Sequence, residues 1–153
     1  MRPALSTVCS LHAPLEAILA DYAAGHCDAV ELWLGQAEAF LEKKSPDELK
    51  DCFAMHAVVP VVASFQGGLL VSQGAARREH WQHFEKRLTL LSKLNIPVLV
   101  VAVDAFGPLG PQDLSRLSMS LAEAGKRAAD AGIKLAIEFD AHASFPNNLQ
   151  SAV

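Results

Sequence analysis

The sequence predicts an α/β protein built from parallel strand–helix units. Short, nearly continuous apolar runs alternate with helical patterns, and the runs begin near Ala4, Ala29, Ala57, Val98 and Lys134. Such runs are typical of parallel strands buried on both faces, and their alternation with helices indicates βαβ units. Carboxylates interrupt or follow three of the runs, at Glu31, Asp104 and Glu138. In a barrel of parallel strands, such strand ends open into the active site.

The first unit is predicted from a β-prone stretch over residues 4–10 and a helix that follows Pro14. Proline suits the first helical position, and one face of the helix is apolar at helical spacing, with Leu15, Ile18, Leu19 and Tyr22. Gly25 is expected to end the helix in the left-handed conformation. Residues 28–34 form the second predicted strand, with Glu31 inside it.

A short helix is expected within residues 35–44, and a second one begins at Ser45-Pro46-Asp47-Glu48. This tetrapeptide combines a capping box with proline at the first helical position, and its helix should reach about Met55 and bury Leu49, Cys52 and Phe53. Residues 57–64 predict strand three. Pro60 cannot donate a ladder hydrogen bond, so it is expected among the first residues of the strand or at an irregular strand entry. Residues 65–70 contain two adjacent glycines and predict a loop.

The longest helix is predicted over residues 75–95, with a buried stripe of Trp81, Phe84, Leu88, Leu91 and Leu94. Strand four covers residues 98–103 and ends at Asp104. Pro111 opens the next helix and Gly132 stops it, with an inner face of Leu114, Leu117, Leu121 and Ala128. Strand five then ends at Glu138-Phe139, a loop covers residues 142–146, and Asn147 or Asn148 is the expected N-cap of a sixth helix.

Composition limits the class of protein. The 153 residues suffice for one domain with a real core, so residues 1–153 are expected to form a single domain. No apolar run approaches the roughly 20 residues of a membrane span, and the N-terminus lacks the apolar region of a signal peptide. Three widely spaced cysteines favour a reducing cytoplasm. A net charge of −4 without a basic run indicates no nucleic-acid partner.

Two architectures fit this order of elements. An open doubly wound sheet of five strands matches the length, whereas a closed (β/α)8 barrel needs roughly 250 residues. The glycine-rich phosphate loop that often follows the first strand of a doubly wound sheet is missing from this sequence. The length of the chain therefore favours the open doubly wound sheet, whereas the missing phosphate loop counts against it.

Short motifs in a distinctive order resemble the xylose-isomerase-like TIM barrels, the sugar phosphate isomerase/epimerase superfamily. They are Cys27-Asp28-Ala29-Val30-Glu31-Leu32-Trp33, Ser64-Phe65-Gln66-Gly67-Gly68-Leu69, and an aliphatic strand ending Glu138-Phe139 with His142 four residues beyond the glutamate. Residues 80–104 match in character. The resemblance covers the whole chain but corresponds to the N-terminal five-eighths of a barrel. It implies parallel (β/α) units of a TIM barrel with about five strands, an incomplete barrel.

The resemblance also implies a divalent metal, Mn, Mg or Zn, at the barrel mouth. Glu138 matches the strand-five metal ligand of the family, and the other ligands would come from strands that this sequence does not contain. Metal binding by this chain is therefore expected to be weak or absent. From the residues alone, a strand-end glutamate paired with Lys or Arg is the alternative, since a buried carboxylate needs a partner.

The implied reaction is proton transfer next to a carbonyl, for which Glu138 and Glu31 are the candidate catalytic carboxylates. An ion pair is the alternative for Glu31. The candidate substrate-binding residues each have a structural alternative: a turn or cap for Asp104, an exposed loop position for His142, a plain turn for Gln66 and core packing for Phe65. The implied ligand is a sugar or sugar-like small molecule, with no nucleic acid and no membrane as partner.

Three functions remain open at this stage. The first is a metal-dependent sugar or sugar-phosphate isomerase or epimerase. The second is a non-catalytic truncated barrel, or a half-barrel that self-associates through open sheet edges as a homo-oligomer. The third is an endonuclease or dehydratase on the same scaffold; the endonuclease would need histidines at strand ends and a basic surface, whereas Asp104 stands where a histidine is expected and the net charge is negative.

Overall fold

Five parallel strands form one sheet in which neighbours in space are also neighbours in sequence, β1-β2-β3-β4-β5. The computed structural model describes residues 3–152, with side-chain surroundings for residues 3–150. The strands are β1 Leu5–Ser6, β2 Ala29–Trp33, β3 Val59–Gln66, β4 Val98–Ala102 and β5 Lys134–Glu138. The helices are α1 Leu15–Ala24, α2 Leu34–Leu41, α3 Pro46–Met55, α4 Gly74–Leu94, α5 Pro111–Asp130 and α6 Leu149–Ala152.

The strand order decides between the two architectures. A doubly wound sheet places its first strand inside the sheet and then reverses direction, whereas here β1 and β5 lie at opposite edges. Since crossovers between parallel strands are right-handed, a strictly sequential order places the crossover helices on one face. The predicted α/β fold, an incomplete barrel of parallel (β/α) units, is confirmed, and the sheet is not closed.

The two faces of the sheet differ in burial. On the helix side, Leu99 and Val101 of β4 are fully buried, and Leu135 of β5 packs against the same core. On the other face, which we call the inner face, Val100 is half-buried and Ala136 is exposed. The largest fully buried side chains are mostly aliphatic and include Phe84, Ile18, Leu19, Leu32, Leu49 and Leu91. Burial in β4 and β5 is therefore one-sided, and it leaves the inner face available for a site.

The first strand is shorter than predicted. Only Leu5 and Ser6 pair with β2, and Thr7–Ser10 form a 3-10 helix whose N-cap is Ser6. The backbone N–H of Trp33 donates to the Thr7 hydroxyl at 2.9 Å. A side chain thus takes the place of a backbone carbonyl, which lets the chain leave the sheet after two residues.

Helix boundaries agree with prediction at the capping box but differ around α1. Ser45 Oγ accepts from the Glu48 N–H at 3.2 Å, and the Glu48 carboxylate accepts from the Ser45 N–H at 2.8 Å. Pro14 is the N-cap of α1, not its first helical residue. Gly25 has a φ of −81°, and the left-handed conformation falls on His26 instead, with a φ of 59°. Gly25 therefore ends α1 as predicted, but the left-handed conformation lies one residue later.

Strand β3 extends through Phe65 and Gln66, which were predicted as a loop. Pro60 lies inside this central strand, opposite Val30, and the register then shifts so that Glu31 faces Val62. Because proline has no N–H to donate, the ladder cannot continue regularly through it. The extra residue on β3 is a local irregularity directly beside Glu31.

The later helices follow the predicted pattern with one exception. Helix α4 ends at Asn95 in the left-handed conformation, and α6 begins directly after Asn148. Leu114 was predicted on the buried side of α5 but is exposed. The buried stripe of this helix begins only at Leu117 and continues through Ser120, Ala124 and Ala128. Across residues 3–152, no helix combines the length and apolar character needed to cross a bilayer.

Replacement of Trp81 tests the packing of α4. Its ring is 9% exposed, lies 5.7 Å from the Phe84 ring in an edge-on arrangement, and has the guanidinium of Arg127 4.7 Å from its centroid. Trp81→Ala should lower the free energy of unfolding by about 3–5 kcal/mol, the range for large-to-small core changes. Urea denaturation measures the loss. Met119→Ala, at a 72% exposed position, is the control, and a Trp81→Ala effect below about 1 kcal/mol would contradict this packing.

Candidate functional site

The inner face of the sheet carries a cavity of about 390 Å³, which we call the sheet pocket. Glu31 of β2 and Glu138 of β5 both line it, together with Ser6, Ser64 and Phe65. Its floor is apolar and includes Val100 and Ala136. The fold therefore brings the two predicted catalytic carboxylates to one cavity, because both stand on the inner face of their strands.

A second cavity of about 520 Å³ adjoins the first and follows β5 into the loop after it. The two cavities share Phe65 and Glu138, and the second is also lined by Asp140 and His142. Phe65 is 43% exposed at their junction. Its ring is therefore an accessible apolar wall and not a core side chain.

A different cavity, of about 430 Å³, lies between α1 and α2. Its one acidic lining residue, Glu16, is paired with Lys44 at 2.9 Å. This cavity offers no free carboxylate, so the sheet pocket is the better candidate for chemistry.

Glu31 is held by two serines from the neighbouring strands. Ser6 Oγ donates to Glu31 Oε1 at 2.8 Å, and Ser64 Oγ donates to the same oxygen at 2.7 Å. The ion pair that was the alternative for Glu31 is not formed within residues 3–150. Neither serine was among the predicted site residues, because their place beside Glu31 depends on the strand register: Ser6 pairs with Glu31 itself, and Ser64 pairs with Trp33.

Glu138 stands at the C-terminal end of β5, opposite Ala102 of β4, and is exposed. Within the described part of the chain its carboxylate makes no hydrogen bond and no ion pair. The strand-end salt bridge expected as an alternative is therefore not formed there. Both carboxylate oxygens are available to a ligand.

The ligand set for a metal is not assembled by the described residues. Among residues 3–150, no three His, Cys, Asp or Glu side chains come together as a metal site requires. A divalent ion needs several converging oxygens or nitrogens, and Glu138 with its free carboxylate would supply one. A metal at this position would therefore need further ligands from outside these residues.

Asp104 faces the loop between β3 and α4. Its Oδ2 accepts from the backbone N–H of Leu70 at 3.2 Å. Burial raises the pKa of the Asp104 carboxyl, although the backbone N–H groups of Leu70 and Val71 oppose the shift. Asp104 therefore contacts the loop before α4, which is neither the turn nor the cap before Gly107-Pro108 that was its structural alternative, and it does not line the sheet pocket.

Gln66 is also directed away from the pocket. Its side chain is 1% exposed, its amide donates to the Gly67 carbonyl at 2.7 Å, and its Oε1 accepts from Arg87 at 3.2 Å. Its predicted contact with substrate has no geometric support in this arrangement. Arg87 also donates to the carbonyl of Phe65 and to both carboxylate oxygens of Glu38, at 2.7 and 3.0 Å. One guanidinium therefore ties α2 and α4 to the end of β3.

His142 lies on the loop after β5 with a 92% exposed side chain. Its Nδ1 is 3.1 Å from Asp140 Oδ1, and its backbone N–H donates to the same oxygen at 2.8 Å. This backbone N–H, with the imidazole, lowers the pKa of the Asp140 carboxyl. The loop thus places an acid beside His142 that the sequence reasoning overlooked, although the spacing Asp140-Ala141-His142 was its signal.

The sequential parallel sheet and the two carboxylates on its inner face define an incomplete barrel of parallel (β/α) units with an acidic pocket. The sequence model of the xylose isomerase-like TIM barrel family matches residues 19–151, so the chain belongs to that family. Among proteins with curated functions, none matches this sequence.

Solved structures with the same fold include the following three. An IolI protein with a bound zinc atom superposes with a TM-score of 0.78 at 18% identity, over 91% of this chain and 51% of that one. D-psicose 3-epimerase in the presence of D-fructose superposes with a TM-score of 0.69 at 20% identity, over 91% of this chain and 52% of that one. The probable 3-DHS dehydratase AsbF from Bacillus anthracis superposes with a TM-score of 0.78 at 13% identity, over 94% of this chain and 54% of that one. The chain spans about half the length of these structures.

The ion pair between Glu38 and Arg87 predicts how stability depends on acid. Burial disfavours the charged Glu38 carboxylate, but the hydrogen bonds and charge of Arg87, aided by His83, hold its pKa below the ordinary value of 4.5. The unfolded chain then binds more protons in acid, so this stabilisation is complete above the unfolded pKa and lost as pH falls through the folded one.

Glu38→Gln should therefore lower stability at pH 7 and flatten the loss of stability below about pH 5. Urea unfolding between pH 3 and pH 7 measures both effects. Glu42→Gln, at an exposed position at the end of α2, is the control and should leave the profile unchanged. An acid limb equally steep in wild type and Glu38→Gln would show that the ion pair is not responsible.

Proposed function

We propose that the chain carries part of the active site of a sugar isomerase or epimerase, which moves a proton next to a carbonyl. The observation that supports this best is the sheet pocket, where Glu31 and Glu138 face one cavity from strands at different places in the sheet. A carboxylate that takes and returns a proton must lie beside the reacting carbon, and a second polar group must stabilise the adjacent oxygen. Two carboxylates on one cavity suit this division of labour if one transfers the proton and the other holds a divalent ion, because a carboxylate alone would repel the charge that develops on the oxygen.

Glu31 is the proposed proton-transferring carboxylate, because its neighbours are hydroxyl groups that leave one of its oxygens free. Glu138 is the proposed metal ligand, because neither of its oxygens is engaged within the described residues. A bound divalent ion would polarise the substrate carbonyl. With Glu138 as a single ligand from this chain, such binding is proposed to be weak without further ligands.

A sugar or sugar-like substrate is proposed from the character of the cavity walls. The exposed ring of Phe65 provides an apolar face against which a sugar ring can stack, and hydroxyl and carboxylate groups lie beside it. His142 borders the adjoining cavity and is the proposed contact for an outer oxygen or phosphate. The epimerase determined in the presence of D-fructose supports this substrate class, and the zinc atom in the IolI protein supports a divalent metal.

A dehydratase reaction is the second candidate function, favoured by the structural likeness to the probable 3-DHS dehydratase. The proton-abstraction step next to a carbonyl would be the same, so Glu31 would keep its role.

The chain's three free cysteines, Cys9, Cys27 and Cys52, accord with the proposed cytoplasmic location.

The metal proposal is tested by thermal melting of the full chain with and without Mn²⁺. A ligand that binds the folded state raises Tm by mass action, and we expect a small rise in wild type that Glu138→Gln abolishes. Glu79→Gln, at an exposed position on α4, should keep the response. If Glu138→Gln responds to Mn²⁺ as wild type does, Glu138 is a strand-end carboxylate without a metal role.

Self-association is proposed from the sheet edges. Strand β5 is the last strand of the sheet and pairs with β4 alone within the described residues, and unpaired strand edges favour pairing with other strands. Sedimentation at micromolar concentration should therefore show species larger than a monomer. Ala136→Lys should weaken the association, while Ala76→Lys, exposed on α4, should not. A cooperatively melting monomer at all concentrations would overturn the proposal.

A further inference from the structure

Two hydroxyl groups converge on one oxygen of Glu31 and leave the other without a partner. Ser6 and Ser64 approach from the strands on either side of β2, and both bond Oε1, at 2.8 and 2.7 Å. Because an ionised carboxylate accepts and cannot donate, both hydroxyls must be the donors. Within the described residues Oε2 makes no hydrogen bond, although Glu31 lines the sheet pocket.

Both serines are themselves anchored. Ser64 is 2% exposed in β3. Ser6 Oγ also accepts from the backbone N–H of Val8 at 3.4 Å, as the N-cap of the 3-10 helix. A side chain that is locked by its own surroundings can hold a functional group in a fixed geometry. The support for Glu31 therefore comes from the two strands that flank β2.

We propose that Ser6 and Ser64 are positioning residues that hold Glu31 with Oε2 toward the sheet pocket, as the one oxygen that exchanges a proton with a polyhydroxylated ligand. The ligand class rests on the proposed function, whereas the positioning does not. With Oε1 occupied by two donors, Glu31 offers one oxygen and is unsuited to bidentate chelation of a metal. Its role thereby differs from that of Glu138, whose two oxygens are both available.

The competing explanation is a brace that merely joins β1, β2 and β3. A brace and a positioning device both affect stability, so stability alone cannot separate them. They differ in what happens to Glu31 when one serine is removed. If the serines position Glu31, removal of one of them should make the glutamate side chain more mobile. If they only join the strands, removal of one should leave the mobility of the Glu31 side chain unchanged.

The experiment measures the ¹³C relaxation order parameter of the Glu31 Cγ group in the full, metal-free chain. Two other glutamates in the same sample are references: Glu38, held by Arg87, represents a fixed side chain, and exposed Glu79 represents a mobile one. In wild type the Glu31 order parameter should lie near that of Glu38.

Ser6→Ala and Ser64→Ala should each shift the Glu31 order parameter toward that of Glu79. Ser6→Thr keeps a hydroxyl at the half-buried position and should restore it. The control is Ser92→Ala, which removes a hydroxyl bonded to the Ala131 carbonyl at 3.0 Å, remote from the sheet pocket, and should change nothing at Glu31.

Three results would overturn the proposal: a wild-type Glu31 as mobile as Glu79, an order parameter that survives both alanine substitutions, or a Ser6→Thr variant no better than Ser6→Ala. If Ser64→Ala fails to fold, the Ser6 pair of variants still decides the question. Because no metal is present, the result is independent of the Mn²⁺ response at Glu138. Failure of the metal proposal and failure of the positioning proposal are therefore distinguishable.

Discussion

One-sided burial of the parallel sheet is the constraint on which the rest of the structure depends. The strictly sequential strand order places the crossover helices on one face, and the apolar residues of that face, such as Leu32 and Leu99, are fully buried. Alternate residues of each strand then project to the opposite face. Glu31 and Glu138 reach the sheet pocket through this alternation, whereas Ser64 and Phe65 are consecutive in β3 and both line it.

Irregularities in the strands place polar groups where a regular ladder would not. Pro60 interrupts the pairing of β2 with β3 directly before Glu31, and β3 gains one residue relative to its neighbour. Bulges of this kind often re-aim side chains beside active sites. Ser64, three residues beyond the extra position, reaches Glu31 across the strand pair. The irregular pairing after Pro60 thus lies next to the hydrogen bond between Ser64 and Glu31.

Much of the fold was predictable because its signals are local. The capping box at Ser45, the proline-started helix at Pro111 and the apolar strand runs each depend on residues within one element, and the structure confirms them. The choice of barrel over doubly wound sheet came from the resemblance of short ordered motifs, since strand order is a long-range property. The end of β1 was missed because it depends on Thr7 bonding the N–H of Trp33, 26 residues away.

The candidate site was predictable as a set of carboxylates but not as a set of contacts. Glu31 and Glu138 share a cavity, as expected of strand-end acids. Gln66 and Asp104 instead serve the backbone around β3, because Arg87 and Leu70 engage them. The serines beside Glu31 could not be recognised, since serine is common in strands and becomes informative only when the register between strands is known.

The hydroxyl of Thr7 has a consequence for how this chain can change over evolutionary time. Thr7 is fully buried and its oxygen accepts the N–H of Trp33, so the position must supply both a hydroxyl and a filled volume. Valine would keep the shape but leave a buried donor unsatisfied, at a cost of about 1–3 kcal/mol. Serine would keep the bond but lose a buried methyl group. Very few amino acids can therefore replace Thr7 without loss of stability, although Thr7 belongs to neither a regular strand nor the candidate site.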